Sequence, residues 1–209
     1  MLGIHDYGLF VATGILLNLL PGQDTFYILG NSVAHGRRIG LASALGVVAG
    51  CVVHTFAAAL GLSAILATSA TAFTLLKLAG AAYLVYLGVR TLLTAAPTDR
   101  ALPDSDAISS ALAFRRGVLS NVLNPKVALF FLALLPQFID ADSPAKVTAF
   151  IVLGLSFVAT GAVWCAILVL AAARTRDAFA RHPRAFVNLT RASGALFLFL
   201  GARLALSER

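Results

Sequence analysis

The chain has 209 residues, 59% of them hydrophobic and only 12% charged, with a formal net charge of +7. Soluble domains carry roughly 25% charged residues, so an ordinary soluble domain is excluded, and without a nucleic-acid motif the basic excess is assigned to loop topology. Two cysteines, Cys51 and Cys165, both inside apolar runs, exclude a disulfide framework, and no metal-ligand motif is present.

A membrane-spanning helix needs about 20 apolar residues, and lipid leaves no partner for open backbone, so each apolar run is predicted to be a helix. The first span is expected over 7–30, interrupted at Leu20-Pro21-Gly22-Gln23-Asp24. Its leading His5-Asp6, with no basic region, does not read as a cleaved signal peptide. The second span, 39–66, holds His54 and a Gly46-x-x-x-Gly50 spacing that permits close helix packing. The third is expected over 71–92, followed by a polar linker from Thr94 to Ser110 with Pro97 and Pro103. The fourth, 117–139, is broken at Asn124-Pro125-Lys126; the fifth and sixth are expected over 146–172 and 186–206.

Basic residues orient these spans, because cytoplasmic loops are enriched in Lys and Arg. Arg37, Arg38, Arg90, Arg100, Arg115, Arg116, Arg174, Arg176, Arg181, Arg184 and Arg191 fall on one side, and Lys146, Arg203 and Arg209 on the other. Both termini are therefore expected outside. The fold class that follows is an all-α integral membrane protein with six transmembrane helices. They form two inverted three-helix repeats, 1–93 and 117–209, joined by a cytoplasmic linker at 94–116. Lys77-Leu-Ala-Gly80-Ala-Ala-Tyr83-Leu84 parallels Arg191-Ala-Ser-Gly194-Ala-Leu-Phe197-Leu198, and Gly88-Val-Arg90 parallels Gly201-Ala-Arg203. Inverted repeats with a broken helix in each half are a recurring plan of secondary transporters.

Proline inside a helix removes a backbone hydrogen bond, and the half-helix after the break offers free N–H groups that suit a carboxylate. Pro21, Gly22, Gln23, Asn124 and Pro125 are therefore candidate substrate-binding positions, along with the charges beside them. Asp24, a carboxylate inside a span, either binds a substrate ammonium and takes up a coupling proton, or caps the first turn of its half-helix. Lys126 opposes the dipole of its own half-helix, so it either meets something anionic or snorkels to the interface. His54 is a candidate for proton coupling or for hydrogen-bonded packing. Asn18, Asn121 and Gln137 either satisfy freed backbone or line a polar cavity, and Lys77 either supports the site or snorkels.

In order and spacing, these motifs resemble the lysine-exporter/homoserine-exporter (LysE/RhtB) family. They are Pro21-Gly22-Gln23-Asp24-Thr25, Gly36-Arg37-Arg38-x-Gly40, Ala44-Leu45-Gly46, His54, Lys77 through Gly88, Asn124-Pro125-Lys126 to Phe130-Phe131, and Leu135-Pro136-Gln137-Phe138. The resemblance implies a multi-pass inner-membrane exporter of amino acids or close derivatives, driven by proton exchange. It also implies a central site formed by the two proline motifs. The family's first motif usually reads Pro-Gly-Pro-Asp; here Gln23 stands at the second proline.

The expected mechanism is alternating access. Asp24 and Lys126 pair with each other in the empty state, and a zwitterion replaces that pairing, ammonium on Asp24 and carboxylate on Lys126. The rivals are an exporter of another small solute or a cation, a channel, and a scaffold; an enzyme is disfavoured because no nucleophile–base pair appears. No cofactor and no nucleic acid is expected. The partners are a small-molecule substrate, the lipid bilayer and a proton gradient, and small-residue faces permit a homodimer.

Overall fold

The structure, a computed structural model, describes residues 2–64, 70–93, 108–140 and 142–172, with scattered helical positions between 187 and 206. The linker at 94–107, the 173–186 loop, Arg203 and the Lys77 side chain lie outside the described residues. All the described elements are helical; one isolated antiparallel bridge joins Ile4 to Ile139.

Helix α1, Tyr7–Leu19, ends where Pro21 can supply no amide, and α2, Gln23–Ala57, starts from Gly22 in extended backbone. Within α2, Gly36 has φ 81° and ψ 175°, a conformation open almost only to glycine. A Cβ on Gly40 would stand 3.0 Å from the Cα of Ser32. Eight residues along a straight helix cover about 12 Å, so the chain folds back at Gly36 into two antiparallel arms, 23–35 and 37–57. The loop expected at 31–38 is thus a single-residue reversal. No atom lies within 4 Å of a Cβ built there, which leaves backbone strain as the whole penalty of a side chain. Gly36→Ala is expected to cost about 1–3 kcal/mol, read as a lowered thermal unfolding midpoint in detergent.

The second arm runs on through a π-helical turn, Ala58–Leu62. Helix α3 spans Ala70–Leu93. Helix α4, Ser110–Val122, begins seven residues before the expected fourth span, because Ser109 caps it by accepting the Leu112 N–H at 3.2 Å. Arg115 and Arg116 are thereby exposed helical residues rather than loop residues. After the break comes α5, Pro125–Leu129, which continues through a π-helical Phe130–Leu134 and a 3₁₀ turn, Leu135–Phe138; the axis bends by 47° at the break. Helix α6 spans Lys146–Leu170.

By length and apolarity, Gln23–Leu62, through its arm after Gly36, and Lys146–Leu170 can each cross a membrane, and the bent pair Ser110–Val122 with Pro125–Phe138 makes a third candidate. Leu45, Leu60, Val163 and Leu170 are each more than 60% exposed, a surface suited to lipid and not to water.

Glycines let the helices meet backbone to backbone. On the second arm of α2, a Cβ on Gly46 would lie 3.0 Å from the Cα of Gly117, and one on Gly50 would lie 2.7 Å from Asn121 Oδ1. The Gly46-x-x-x-Gly50 face is thus occupied by α4 of the same chain and is not available to a second copy. Gly88 meets the Gly194 carbonyl, Gly194 meets the Gly88 carbonyl and Leu92, and Gly201 meets the Ala81 carbonyl and Val85. These contacts run antiparallel between the two segments that resemble each other in sequence.

Two apolar clusters sit at different levels. One gathers Phe10, Phe130, Phe131, Phe138, Phe150 and Phe157, with Phe130 and Phe157 rings 4.4 Å apart. The other gathers Ile28, Leu29, Val47, Cys165, Leu168 and Val169. Along α6 the first cluster ends at Phe157 and the second starts at Cys165, with Gly161 and Trp164 between them. Cys51 and Cys165 are buried free thiols.

Candidate functional site

A helical carbonyl normally accepts from the N–H four residues on. Pro21 therefore strands the Leu17 carbonyl, and Pro125 strands the Asn121 carbonyl. Both find side-chain donors across the fold. The Lys126 ammonium donates to the Leu17 carbonyl at 3.1 Å and to the Leu20 carbonyl at 3.0 Å. The Asn121 carbonyl accepts from the Asn124 N–H at 2.9 Å and lies 3.1 Å from His54 Nε2. A carbonyl only accepts, so this contact makes Nε2 the protonated nitrogen. The His54 ring also stacks on Phe131, centroids 5.6 Å apart.

Asp24 is held from the opposite break. Its Oδ1 accepts from Ser120 Oγ at 2.9 Å, and its Oδ2 accepts from Asn121 Nδ2 and Asn124 Nδ2, both at 2.8 Å. Asn124 also caps α5, its Oδ1 accepting the Lys126 N–H at 3.0 Å. Each break therefore places its charge on the other: the acid of the first meets amides and a hydroxyl of the second, and the base of the second closes the C-terminal end of α1. A cation at a helix C-terminus is favourable, and this contact compensates Lys126 where an anion or the interface was expected.

Direct pairing of Asp24 with Lys126 is not observed. An ion pair is formed instead by His5 with Asp6, at 3.2 Å. The physical reason is competition: both charges already hold multiple polar partners that proline breaks and caps have made available.

Pro21 and Pro125 act here through the carbonyls they strand. A Cβ on Gly22 would lie 3.3 Å from Lys126 Nζ, so the missing side chain lets the ammonium sit against the start of α2. Gln23, exposed, reaches Ser120 Oγ with its amide at 3.3 Å and thereby braces a donor to Asp24. Asn18 Nδ2 donates to Thr160 Oγ1 at 3.3 Å. Gln137 is not brought to the site: its amide donates to the Ala133 carbonyl at 2.9 Å, some three turns of helix beyond Lys126. Ser120 and Trp164 were not picked out from sequence. The Ser120-Asn121-x-x-Asn124 spacing, three polar groups near one face beside a proline, was the available signal for the first.

Between the two apolar clusters lies a cavity of about 40 Å³, lined by Asn18, Asp24, Asn121, Lys126, Gly161 and Trp164 among others. A water needs roughly 10–15 Å³ of such space, so the cavity beside the charged centre has room for a few waters. Among the described residues no group of three or more His, Cys, Asp or Glu could hold a metal ion.

His54→Phe keeps a ring on Phe131 and removes one donor to the Asn121 carbonyl. It is expected to cost about 0.5–1.5 kcal/mol in detergent unfolding and to leave the pH profile of transport where the wild type has it. A displaced profile would make His54 a proton carrier.

A bundle of apolar helices, with paired broken segments around a charged centre, fits a membrane transporter. The comparisons make the class specific. The family model described as LysE type translocator matches residues 15–208, and the chain belongs to that family. It is 34% identical over 206 residues to an uncharacterized membrane protein of Vibrio cholerae, covering 98% of each chain. It is 31% identical over 208 residues to an uncharacterized membrane protein of Pseudomonas aeruginosa, covering 98% of this chain and 96% of the relative. It is 32% identical over 197 residues to a homoserine/homoserine lactone efflux protein of Salmonella typhimurium, covering 94% of each. No solved structure matches.

Proposed function

We propose that the chain is an exporter of amino acids or close derivatives across the inner membrane, exchanging solute for protons by alternating access. The observation that carries this reading is the crossed satisfaction of the two breaks: Asp24 on groups of the second, Lys126 on carbonyls of the first, both lining one cavity. An intramembrane acid and base so placed are matched to a zwitterion. The solute's carboxylate takes up Lys126 and the uncapped start of α2; its ammonium takes up Asp24. Protonation of Asp24 from outside weakens the ammonium contact and releases the solute there. His54 is assigned to the stranded carbonyl and Asp24 to the proton.

The full plan is six spans in two inverted halves, 1–93 and 117–209, with both termini outside. The reversal at Gly36 supports it by dividing Gln23–Ala57 into parts of two spans, and the antiparallel glycine contacts between 81–92 and 194–201 fit a pseudo-twofold axis in the membrane plane. The two apolar clusters are the natural gates, since the cavity between them must enlarge toward the roughly 300 Å³ or more of small-molecule sites.

The Salmonella relative's name makes homoserine the first solute to test. Proteoliposomes preloaded with labelled homoserine should lose it when the outer bath is acidified, show counterflow against unlabelled solute, and slow when a protonophore collapses the gradient. Loss without counterflow indicates a channel, and indifference to the protonophore removes proton exchange.

A further inference from the structure

The stretch ahead of α1 is fastened to the far end of the second broken segment. The His5 N–H donates to the Phe138 carbonyl at 3.1 Å, and the Asp140 N–H donates to the Gly3 carbonyl at 2.7 Å. These two bonds frame the antiparallel bridge between Ile4 and Ile139. Ser143 Oγ adds a third bond, donating to the Leu2 carbonyl at 2.8 Å. Gly3 has φ 67°, and a Cβ there would stand 2.6 Å from that of Ser143, so glycine is what lets the strap lie this close.

The strap is held by those contacts and not by the helix it leads into. Asp6, the N-cap of α1, has φ 50° and makes no side-chain cap bond; its carboxylate meets His5 instead. Left-handed backbone outside glycine persists where the surroundings impose it, and among the described residues Asp6 is the one case. Leu2, His5, Asp6 and Asp140 are exposed. Backbone bonds in solvent open more readily than those of a packed core.

What the strap holds is the half-helix that carries Lys126. Phe130–Leu134 is π-helical and Leu135–Phe138 is 3₁₀, irregular windings of a kind that mark hinges. At its site end, Lys126 meets the carbonyls of α1. At its far end, Phe138 meets the strap. Between them Phe130, Phe131 and Phe138 belong to the aromatic cluster, and Phe138 stands edge-on to Phe10 of α1 at 5.3 Å. The half-helix and α1 are therefore joined at both ends with the aromatic cluster between.

Resting on the alternating-access reading above, we propose that residues 2–5 are a latch on the gate at the aromatic cluster. Latched, they pin Phe138 against α1 and keep the rings together. Unlatched, the half-helix swings at its π and 3₁₀ turns, parts Phe138 from Phe10 and opens the cavity on that side. In the topology proposed above that side is the outside, where the solute leaves.

A disulfide across the bridge tests the latch. The flanking bonds make Ile4 and Ile139 a non-hydrogen-bonded antiparallel pair, whose Cα atoms stand about 4.5 Å apart, within the range that disulfides span. In proteoliposomes, reduced Ile4→Cys/Ile139→Cys should exchange homoserine by counterflow. Oxidation should slow it about tenfold or more, and a reductant should restore it, because the cycle passes through the open gate. Each single cysteine variant should be indifferent to oxidation, which sets aside the native thiols Cys51 and Cys165. A cross-linked carrier that works at the reduced rate overturns the latch. Hydrogen exchange on the wild type needs no variant to fold. The His5 and Asp140 amides should share one exchange rate, about a hundredfold or more above that of the fully buried Phe150 and Leu153 in α6, because they open together. Amides as slow as those of α6, or unrelated rates at His5 and Asp140, overturn it too. A wild type that carries no homoserine defeats the amino-acid reading beneath, and the exchange comparison still decides the latch.

Discussion

Lys126→Met should both unfold early and stop transporting. The ammonium is the donor found for the Leu17 carbonyl, which has no helical partner because residue 21 is proline, and it also holds the Leu20 carbonyl. A buried acceptor left open costs about 1–3 kcal/mol, and removing a cation from a helix C-terminus adds about 0.3–1 kcal/mol. With two carbonyls affected, a loss of about 3–5 kcal/mol is expected, comparable to breaking a buried charge pair. Thermal unfolding in detergent reads it directly. Lys126→Arg separates scaffold from site. A guanidinium supplies donors to both carbonyls and should recover most of the stability. Its planar fork does not reproduce a compact ammonium in so small a cavity, so transport should remain well below wild type. A Lys126→Met protein that exports at the wild-type rate would remove Lys126 from the site.

The complementary expectation concerns Asp24→Asn, which removes charge while keeping shape. The amide oxygen can accept from Asn121 and Asn124, as Oδ2 does now, and the amide nitrogen can donate to Ser120 if that hydroxyl turns its proton away. Hydrogen bonds to a charged acceptor are roughly twice as strong as neutral ones, but the neutral group is less costly to bury. A stability loss of about 1–3 kcal/mol is expected, so the protein should still fold. Export should fall by about a hundredfold or more, because a neutral amide neither holds an ammonium at the strength of a carboxylate nor binds and releases a proton. Asp24→Ala should lose both stability and transport. Export by Asp24→Asn at the normal rate, with its proton dependence intact, would falsify the assignment of Asp24.

The two breaks, the turn near residue 36 and the close packing at Gly46 and Gly50 were legible in sequence because proline and glycine act locally. Even the stranded carbonyls can be counted from it, four residues before each proline. What the sequence does not carry is which donor reaches which carbonyl. Lys126, read against the dipole of its own half-helix, was left between an anionic partner and the interface. The resolution lies on α1, 109 residues away in the chain, and only the packed fold brings them together. His54 shares a helical face with Gly50, so its approach to α4 was implicit, but its target, the Asn121 carbonyl, was not. Of the two readings left open for Gln137, the structure shows the backbone one: its amide serves the Ala133 carbonyl, a rising helix having carried it away from the break. Trp164 gave little signal, since an indole in an apolar run reads as packing until its N–H is seen without a partner.

The crossed arrangement of the breaks also bears on biogenesis. The ribosome delivers the first broken segment to the bilayer about a hundred residues before the second. Through that interval the Leu17 carbonyl and the Asp24 carboxylate stand in the insertion machinery without their eventual partners. The first half is thus a pending insertion intermediate, completed only when Ser120 through Lys126 arrive. Premature termination within that window leaves a fragment exposing polar backbone and a charge at membrane depth, the kind of product that membrane quality control can distinguish from the finished chain.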